Sequence, residues 1–142
     1  MIIFPESIDV AEDRSLSVTT TGAITVYEGA TLVHSGIHNG SISVKSGAAV
    51  IIEGSHNGSL RIEPDGYATV SGSQMGSVHV ERRGMFSLTS TGRHGGSIHN
   101  DGVYVNEGLR GGTVHGIPPT DRLGGRVKQP DKIVDGNSYY SF

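Results

Sequence analysis

Apolar residues alternate with polar ones in short blocks, and the blocks return along the chain at a nearly constant interval. Alternation with a period of two predicts β-strands that bury one face. The first series of blocks is Ile24/Val26, Ile42/Val44, Leu60/Ile62 and Val78/Val80, continued by the single residues Ile98 and Val114. A second series follows the first within each repeat, as TLVH, AVII, YATV, MFSL and VYV. The pattern predicts two main strands per repeat.

Glycines separate these blocks. A G-x-x-x-G corner precedes the first strand, and its closing glycines are Gly22, Gly40, Gly58, Gly76, Gly96 and Gly112, in steps of 18, 18, 18, 20 and 16 residues. A second glycine lies between the two strands, at Gly29, Gly47, Gly66, Gly84 and Gly102. Repetition of one such unit indicates a solenoid. A helical solenoid is disfavoured, because each glycine inside a helix costs about 1 kcal/mol.

The predicted fold is all-β: a single-stranded parallel β-solenoid with about five or six coils of about 18 residues. A left-handed coil needs an apolar residue at every sixth position, and Gly54, Gly66 and Gly72 break that series from Ile42. We therefore expect a right-handed β-helix over residues 22–116. Residues 1–21 are expected to form an N-terminal cap or irregular first coil. Residues 117–142 are expected to be a Pro/Gly-containing extension docked on the solenoid or on a partner.

Composition narrows the class of protein. The chain has 142 residues, no cysteine and a formal net charge of -3. The charge disfavours nucleic acid and anionic membranes as partners, and the absence of cysteine excludes disulfides and thiolate–metal clusters. No apolar run approaches the ~20 residues of a membrane span. We expect a soluble, cytoplasmic protein.

The repeated blocks resemble a known family. The G-x-x-x-G-[ST]-h-x-h blocks, as in GSHNGSLRI and GSQMGSVHV, and the inner G-x-h-x-h between them are similar to those of bactofilin domains over residues of about 22–116. The resemblance implies a nucleotide-free, non-enzymatic β-helix that polymerises by stacking its coils end to end. In that family the central residue of the corner is usually apolar and inward, whereas here it is polar. An aromatic C-terminus stands where the family typically has a disordered polar tail.

Polar residues at equivalent repeat positions are the candidate binding residues. The corner column is His38, His56, Gln74, His94 and Arg110. A second column lies between or beside the apolar positions of the first-series strands and includes Arg61, His79 and His99. We interpret the corner column as a solvated ridge, with a recognition surface for a protein as the alternative. A metal site would need three or four converging ligands. Gln74 and Arg110 interrupt the corner column, and no carboxylate recurs beside it, so no metal site or cofactor is predicted.

The sequence indicates no catalysis. It has no Gly-x-Ser-x-Gly elbow and no Walker lysine loop, and its acidic residues form no cluster that we can assemble. No small-molecule substrate is inferred.

The C-terminal aromatic residues Tyr139, Tyr140 and Phe142 are further candidates, because such side chains tend to dock on protein. Together these observations favour a scaffold that self-assembles. The alternative is a capped solenoid that holds one specific protein partner, as a bacterial immunity protein holds a toxin.

Overall fold

The computed structural model describes residues 7–127 with their side chains, and residues 3–4, 132–134 and 137–139 as backbone strands only. In these ranges the chain forms β-strands and no helix. The strands described are β1 (Ile3–Phe4), β2 (Ile8–Val10), β3 (Arg14–Leu16), β4 (Thr19–Thr20), β5 (Ile24–Val26), β6 (Thr31–His34), β7 (Ile37–His38), β8 (Ile42–Val44), β9 (Ala49–Ile52), β10 (Ser55–His56), β11 (Leu60–Ile62), β12 (Tyr67–Val70), β13 (Ser73–Gln74), β14 (Val78–Val80), β15 (Met85–Leu88), β16 (Arg93–His94), β17 (Ile98–Asn100), β18 (Val103–Asn106), β19 (Leu109–Arg110), β20 (Val114–Gly116), β21 (Thr120–Asp121), β22 (Arg126–Val127), β23 (Lys132–Val134) and β24 (Asn137–Tyr139).

Three parallel sheets run along the molecule. Sheet A contains β1, β4, β7, β10, β13, β16, β19 and β22; sheet B contains β2, β5, β8, β11, β14, β17 and β20; sheet C contains β3, β6, β9, β12, β15, β18 and β21. Each circuit of the chain, called a coil below, contributes one strand to each sheet, so the described residues form about seven coils. β23 and β24 pair with each other in antiparallel fashion. The predicted parallel β-solenoid is confirmed.

The coil count and the number of strands per coil differ from the prediction. Two segments that the repeat pattern left out, β2–β4 and β21–β22, pair in parallel with neighbouring coils, so the ladder extends beyond residue 116. The G-x-x-x-G corner also contains a third strand of two residues, which belongs to sheet A. This strand was missed because two residues are too few to reveal a period.

The core lies inside the coils and follows the alternation. In the sheet B strands from β5 to β17 the first and third residues are buried, as in Leu60–Ile62, while the middle residue faces outward. Leu60 is aligned with Ile42 on one neighbouring coil and Val78 on the other, so the same position is apolar in successive coils. None of the described elements is a helix long and apolar enough to cross a membrane.

Glycine is needed at the corners because neighbouring coils approach each other closely there. A Cβ atom on Gly58 would overlap the carbonyl oxygen of Gly40 in the adjacent coil. The turn between sheets B and C has a different requirement, a left-handed backbone. Gly47 supplies it with φ of 75°, and Asp65 and Arg83 occupy the equivalent position with φ of 65° and 68°.

Candidate functional site

The predicted corner column points into the solenoid and not toward solvent. His38, His56, Gln74 and His94 are each at most 1% exposed, so the interpretation of a solvated ridge is wrong. The cause is strand alternation in sheet A: Ile37 faces solvent with 42% of its surface exposed, and His38 follows it inward. A protein bound to the outer face of sheet A would therefore contact Ile37 and the residues at equivalent positions.

Hydrogen bonds satisfy the first part of this buried column. Nε2 of His38 donates to the carbonyl oxygen of Ser41 at 3.1 Å. Its Nδ1 then accepts from the Thr20 hydroxyl at 2.6 Å, and the same hydroxyl oxygen accepts from Nε2 of His34 at 2.9 Å. Burial lowers the pKa of His34 to about 4 and also lowers that of His38. Neutral imidazoles therefore form a consistent chain from His34 to Ser41.

His56 is held between two acceptors. Its Nδ1 lies 2.5 Å from Oε1 of Gln74, and its Nε2 lies 2.7 Å from the carbonyl oxygen of Gly40. Gln74 keeps this orientation because its Nε2 donates to the carbonyl oxygen of Gly58 at 3.0 Å. A neutral ring has one N–H and can serve one acceptor only. Burial nevertheless prevails over these bonds and lowers the pKa of His56, so one contact lacks a hydrogen when the ring is neutral.

His94 continues the column in an aromatic setting. Its Nδ1 lies 2.9 Å from the hydroxyl of Tyr104, and the edge of Phe86 packs against its ring. Its Nε2 makes no hydrogen bond within the part of the chain that the structure describes, although the backbone of Gly76 favours the protonated form. Burial dominates and lowers the pKa of His94 to about 3, and it raises the pKa of Tyr104. This part of the column is therefore uncharged at neutral pH.

Arg110 is the last predicted member of the corner column, and it is the only charged one. Its Nε donates to Oδ1 of Asp121 at 2.8 Å, and one terminal nitrogen donates to Oδ2 of the same carboxylate at 2.8 Å. Asn106 donates to the same carboxylate at 2.8 Å. The bond to Arg110 raises the pKa of that guanidinium and lowers the pKa of Asp121. The core thus ends in a polar network near the last described coil.

The second predicted column does face outward. Arg61, His79, His99 and His115 are aligned on successive strands of sheet B. Arg61 donates to Glu81 at 3.0 Å, and the rings of His79 and His99 lie 5.0 Å apart. These are the candidate residues that a ligand or partner can reach.

A column of carboxylates runs beside these residues, contrary to the expectation that the acidic residues form no cluster. Glu63, Glu81 and Asp101 each follow a sheet B strand. Each donates its backbone N–H to the carbonyl oxygen of the last strand residue in the previous coil, which is Val44, Ile62 or Val80 respectively. His79, His99 and Asp101 bring their ligand atoms within 4.8 Å of one another, which could hold a metal ion. Spacings of 18 and 20 residues between these acids were the signal in the sequence.

From β6 to β18 the outer face of sheet C carries no charged side chain, and the sequence pattern did not predict a site there. Its outward positions are Thr31, Val33, Ala49, Ile51, Tyr67, Thr69, Met85, Ser87, Val103 and Val105. Val103 is 48% and Tyr67 is 38% exposed. Seven of these ten residues are apolar, and apolar surface gathered on one exposed face is typical of interaction sites.

The predicted aromatic anchor lies almost entirely outside the described residues. Tyr140 and Phe142 are outside them, and Tyr139 is described only as the last backbone position of β24. Their role in binding stays a prediction.

Comparisons with known protein families, with curated proteins and with solved structures find no match to this chain.

Proposed function

We propose that the protein is a non-enzymatic scaffold that self-assembles by stacking its coils end to end, as its resemblance to bactofilins implies. One observation carries the proposal: among the described residues, the strands at both ends of the three sheets pair on one side only. These strands are β1, β2 and β3 at one end and β20, β21 and β22 at the other. Open strand edges are templates for pairing with a further chain, and a second copy offers a strand for each of them.

The last described coil adds apolar surface to these edges. Leu123 is 79% exposed, Ile117 is 51% exposed and Val127 is 42% exposed. Leu123 also adopts φ of 50°, a left-handed conformation that costs a residue with a side chain roughly 1–2 kcal/mol. A copy stacked on this end would cover Leu123 and offset part of that cost.

The charges near the two ends complement each other. Residues 9–14 carry three carboxylates and one arginine. Residues 120–127 carry Arg122, Arg126 and Asp121. Asp121 is already paired with Arg110 and Arg122 with Glu107, so Arg126 supplies the positive charge at this end. This difference favours a head-to-tail contact, which propagates into a filament when it does not close into a ring.

Two matched variants test the proposal. Leu123→Glu places a charge on the end of the solenoid, and Val103→Glu places the same charge on the outer face of sheet C. We expect the unmodified chain and Val103→Glu to form elongated assemblies in sedimentation velocity and negative-stain microscopy. Leu123→Glu should remain monomeric because the charge would be buried at the stacking contact.

The same experiment can overturn the proposal. A monomer at every concentration of the unmodified chain excludes self-assembly. Assemblies that survive Leu123→Glu but disappear in Val103→Glu exclude end-to-end stacking and place the contact on sheet C.

A capped interaction module is the second candidate function. The polar network of Asn106, Arg110 and Asp121 favours it, because a core that ends in paired polar groups does not need another coil. The uncharged face of sheet C would then hold a specific protein, and a toxin bound by an immunity protein is one example. A monomer that binds such a protein and loses it in Val103→Glu would support this function.

A further inference from the structure

Three potential metal ligands converge on the outer face of sheet B. Nε2 of His99 lies 3.0 Å from Oδ2 of Asp101, and Nε2 of His79 lies 4.0 Å from the same oxygen. The three side chains come from two adjacent coils, because His79 on β14 is aligned with His99 on β17 and Asp101 follows β17. The parallel register therefore builds the cluster from residues far apart in sequence.

The spacing of these atoms fits a zinc ion. Tetrahedral Zn²⁺ with bonds of about 2.0–2.1 Å holds its ligand atoms about 3.3 Å apart. The observed separations of 3.0 and 4.0 Å lie on either side of that value. The side chains of His79, His99 and Asp101 are 43%, 52% and 50% exposed, so small rotations can bring them to the ideal distance without disturbing the core.

We propose that His79, His99 and Asp101 form a binding site for Zn²⁺ or a similar late first-row divalent ion, with the fourth position open to water or to an outside ligand. Two imidazoles and one carboxylate are a common donor set for such ions. The bound ion would cross-link two coils. An open fourth position would also let a donor on a partner join the site.

The surrounding charges set the strength of the site. A surface cavity of about 440 Å³ is lined by His79, Asp101, Glu81 and Arg82. Glu81 adds a negative charge, which its ion pair with Arg61 at 3.0 Å partly offsets. Arg82 opposes a cation, so this site binds less tightly than a closed structural site with four protein ligands.

Calorimetric titration of the untagged full-length chain with Zn²⁺ tests the site. The variants are His79→Ala, His99→Ala and Asp101→Asn, each at an exposed side chain that the fold does not need. The matched control is His115→Ala, because His115 is the next histidine of the same column and lies outside the cluster. Replacing a direct ligand should weaken binding at least about tenfold, since even outer-sphere partners of metal ligands contribute that much.

The control should keep the affinity of the unmodified chain. Co²⁺ should give visible absorption bands that disappear in His99→Ala, and Zn²⁺ should raise the melting temperature of the unmodified chain because it binds only the folded state. Absence of Zn²⁺ binding overturns the proposal. An equal loss of affinity in His115→Ala also overturns it, because binding would then depend on surface histidines in general. Both outcomes leave self-assembly untouched, since the site lies on the side of the solenoid.

Discussion

Histidine occupies two different environments in this molecule. His34, His38, His56 and His94 are buried in the solenoid, where a charged ring would lose its hydration. His79, His99 and His115 lie on the outer face of sheet B. The same residue type therefore supports the core in one column and offers ligands in the other. The direction of each side chain, set by its place in a strand, decides which role is open to it.

The buried histidines should make stability fall with acid. His34 and His94 have folded-state pKa values of about 4 and about 3, lowered from 6.5 mainly by burial. As the pH falls below 6.5, the unfolded chain binds protons that the folded chain excludes, so the free energy of unfolding decreases until the folded pKa is reached. Each unit of difference between the unfolded and folded pKa of a histidine changes the free energy of unfolding by about 1.4 kcal/mol. Chemical denaturation between pH 7 and pH 4 measures the decline.

His94→Gln tests the origin of this decline, because the chain itself has Gln74 at the equivalent position of the neighbouring coil. The variant should flatten the dependence of unfolding free energy on pH below 6.5. His115→Gln is the control for loss of an exposed histidine and should keep the original slope. An unchanged slope in His94→Gln would contradict the lowered pKa, because it would show that His94 binds its proton equally well in the folded and unfolded chains.

At the scale of the strand and turn, glycine serves two separate purposes. Gly58 and its equivalents allow adjacent coils to approach, whereas Gly29 and Gly47 allow a left-handed turn between sheets B and C. In the sequence, both kinds are simply glycines that recur once in each repeat, so their purposes cannot be distinguished there. Asp65 and Arg83 in the left-handed position show that this turn tolerates other residues, while the corner has no space for a side chain.

Gly58→Ala and Gly29→Ala separate these two requirements. A Cβ at Gly58 would overlap the backbone of Gly40, so we expect a loss of roughly 3 kcal/mol from overpacking. Gly29 has nothing within 4 Å of the added atom and a φ of 82°, so Gly29→Ala should cost about 1 kcal/mol through backbone strain alone. Urea denaturation gives both values. A cost for Gly58→Ala no larger than that for Gly29→Ala would argue against close stacking at the corner.

At the scale of the whole molecule, the solenoid is a series of nearly equivalent coils held by contacts with their neighbours. Leu60 on one coil aligns with Ile42 and Val78 on the next coils in either direction. Stability should therefore depend on the number of coils and on their register. The chain should tolerate the loss of a complete coil better than the loss of part of one.

Deletion of residues 41–58 tests this property, because it joins Gly40 to Ser59 and preserves the repeat. We expect a folded solenoid about 4.8 Å shorter, with a lower melting temperature and an unchanged strand signal per residue in circular dichroism. Small-angle scattering measures the length. Deletion of residues 41–49 removes half a coil and should prevent folding, because every later strand changes sheet. Equal stability of the two deletions would contradict a register-dependent solenoid.

The sequence by itself determined the parallel β-solenoid, since the apolar alternation and the glycine interval of 18 residues are local features that repeat. It also identified both polar columns. Only the tertiary structure decided that His38 and His56 are buried, because the inward side of a strand as short as Ser55–His56 depends on its neighbours and not on its own composition. The stacking of coils likewise brought His79, His99 and Asp101 together. Contacts between coils join residues about 20 positions apart, and no local pattern specifies which side chains then face each other.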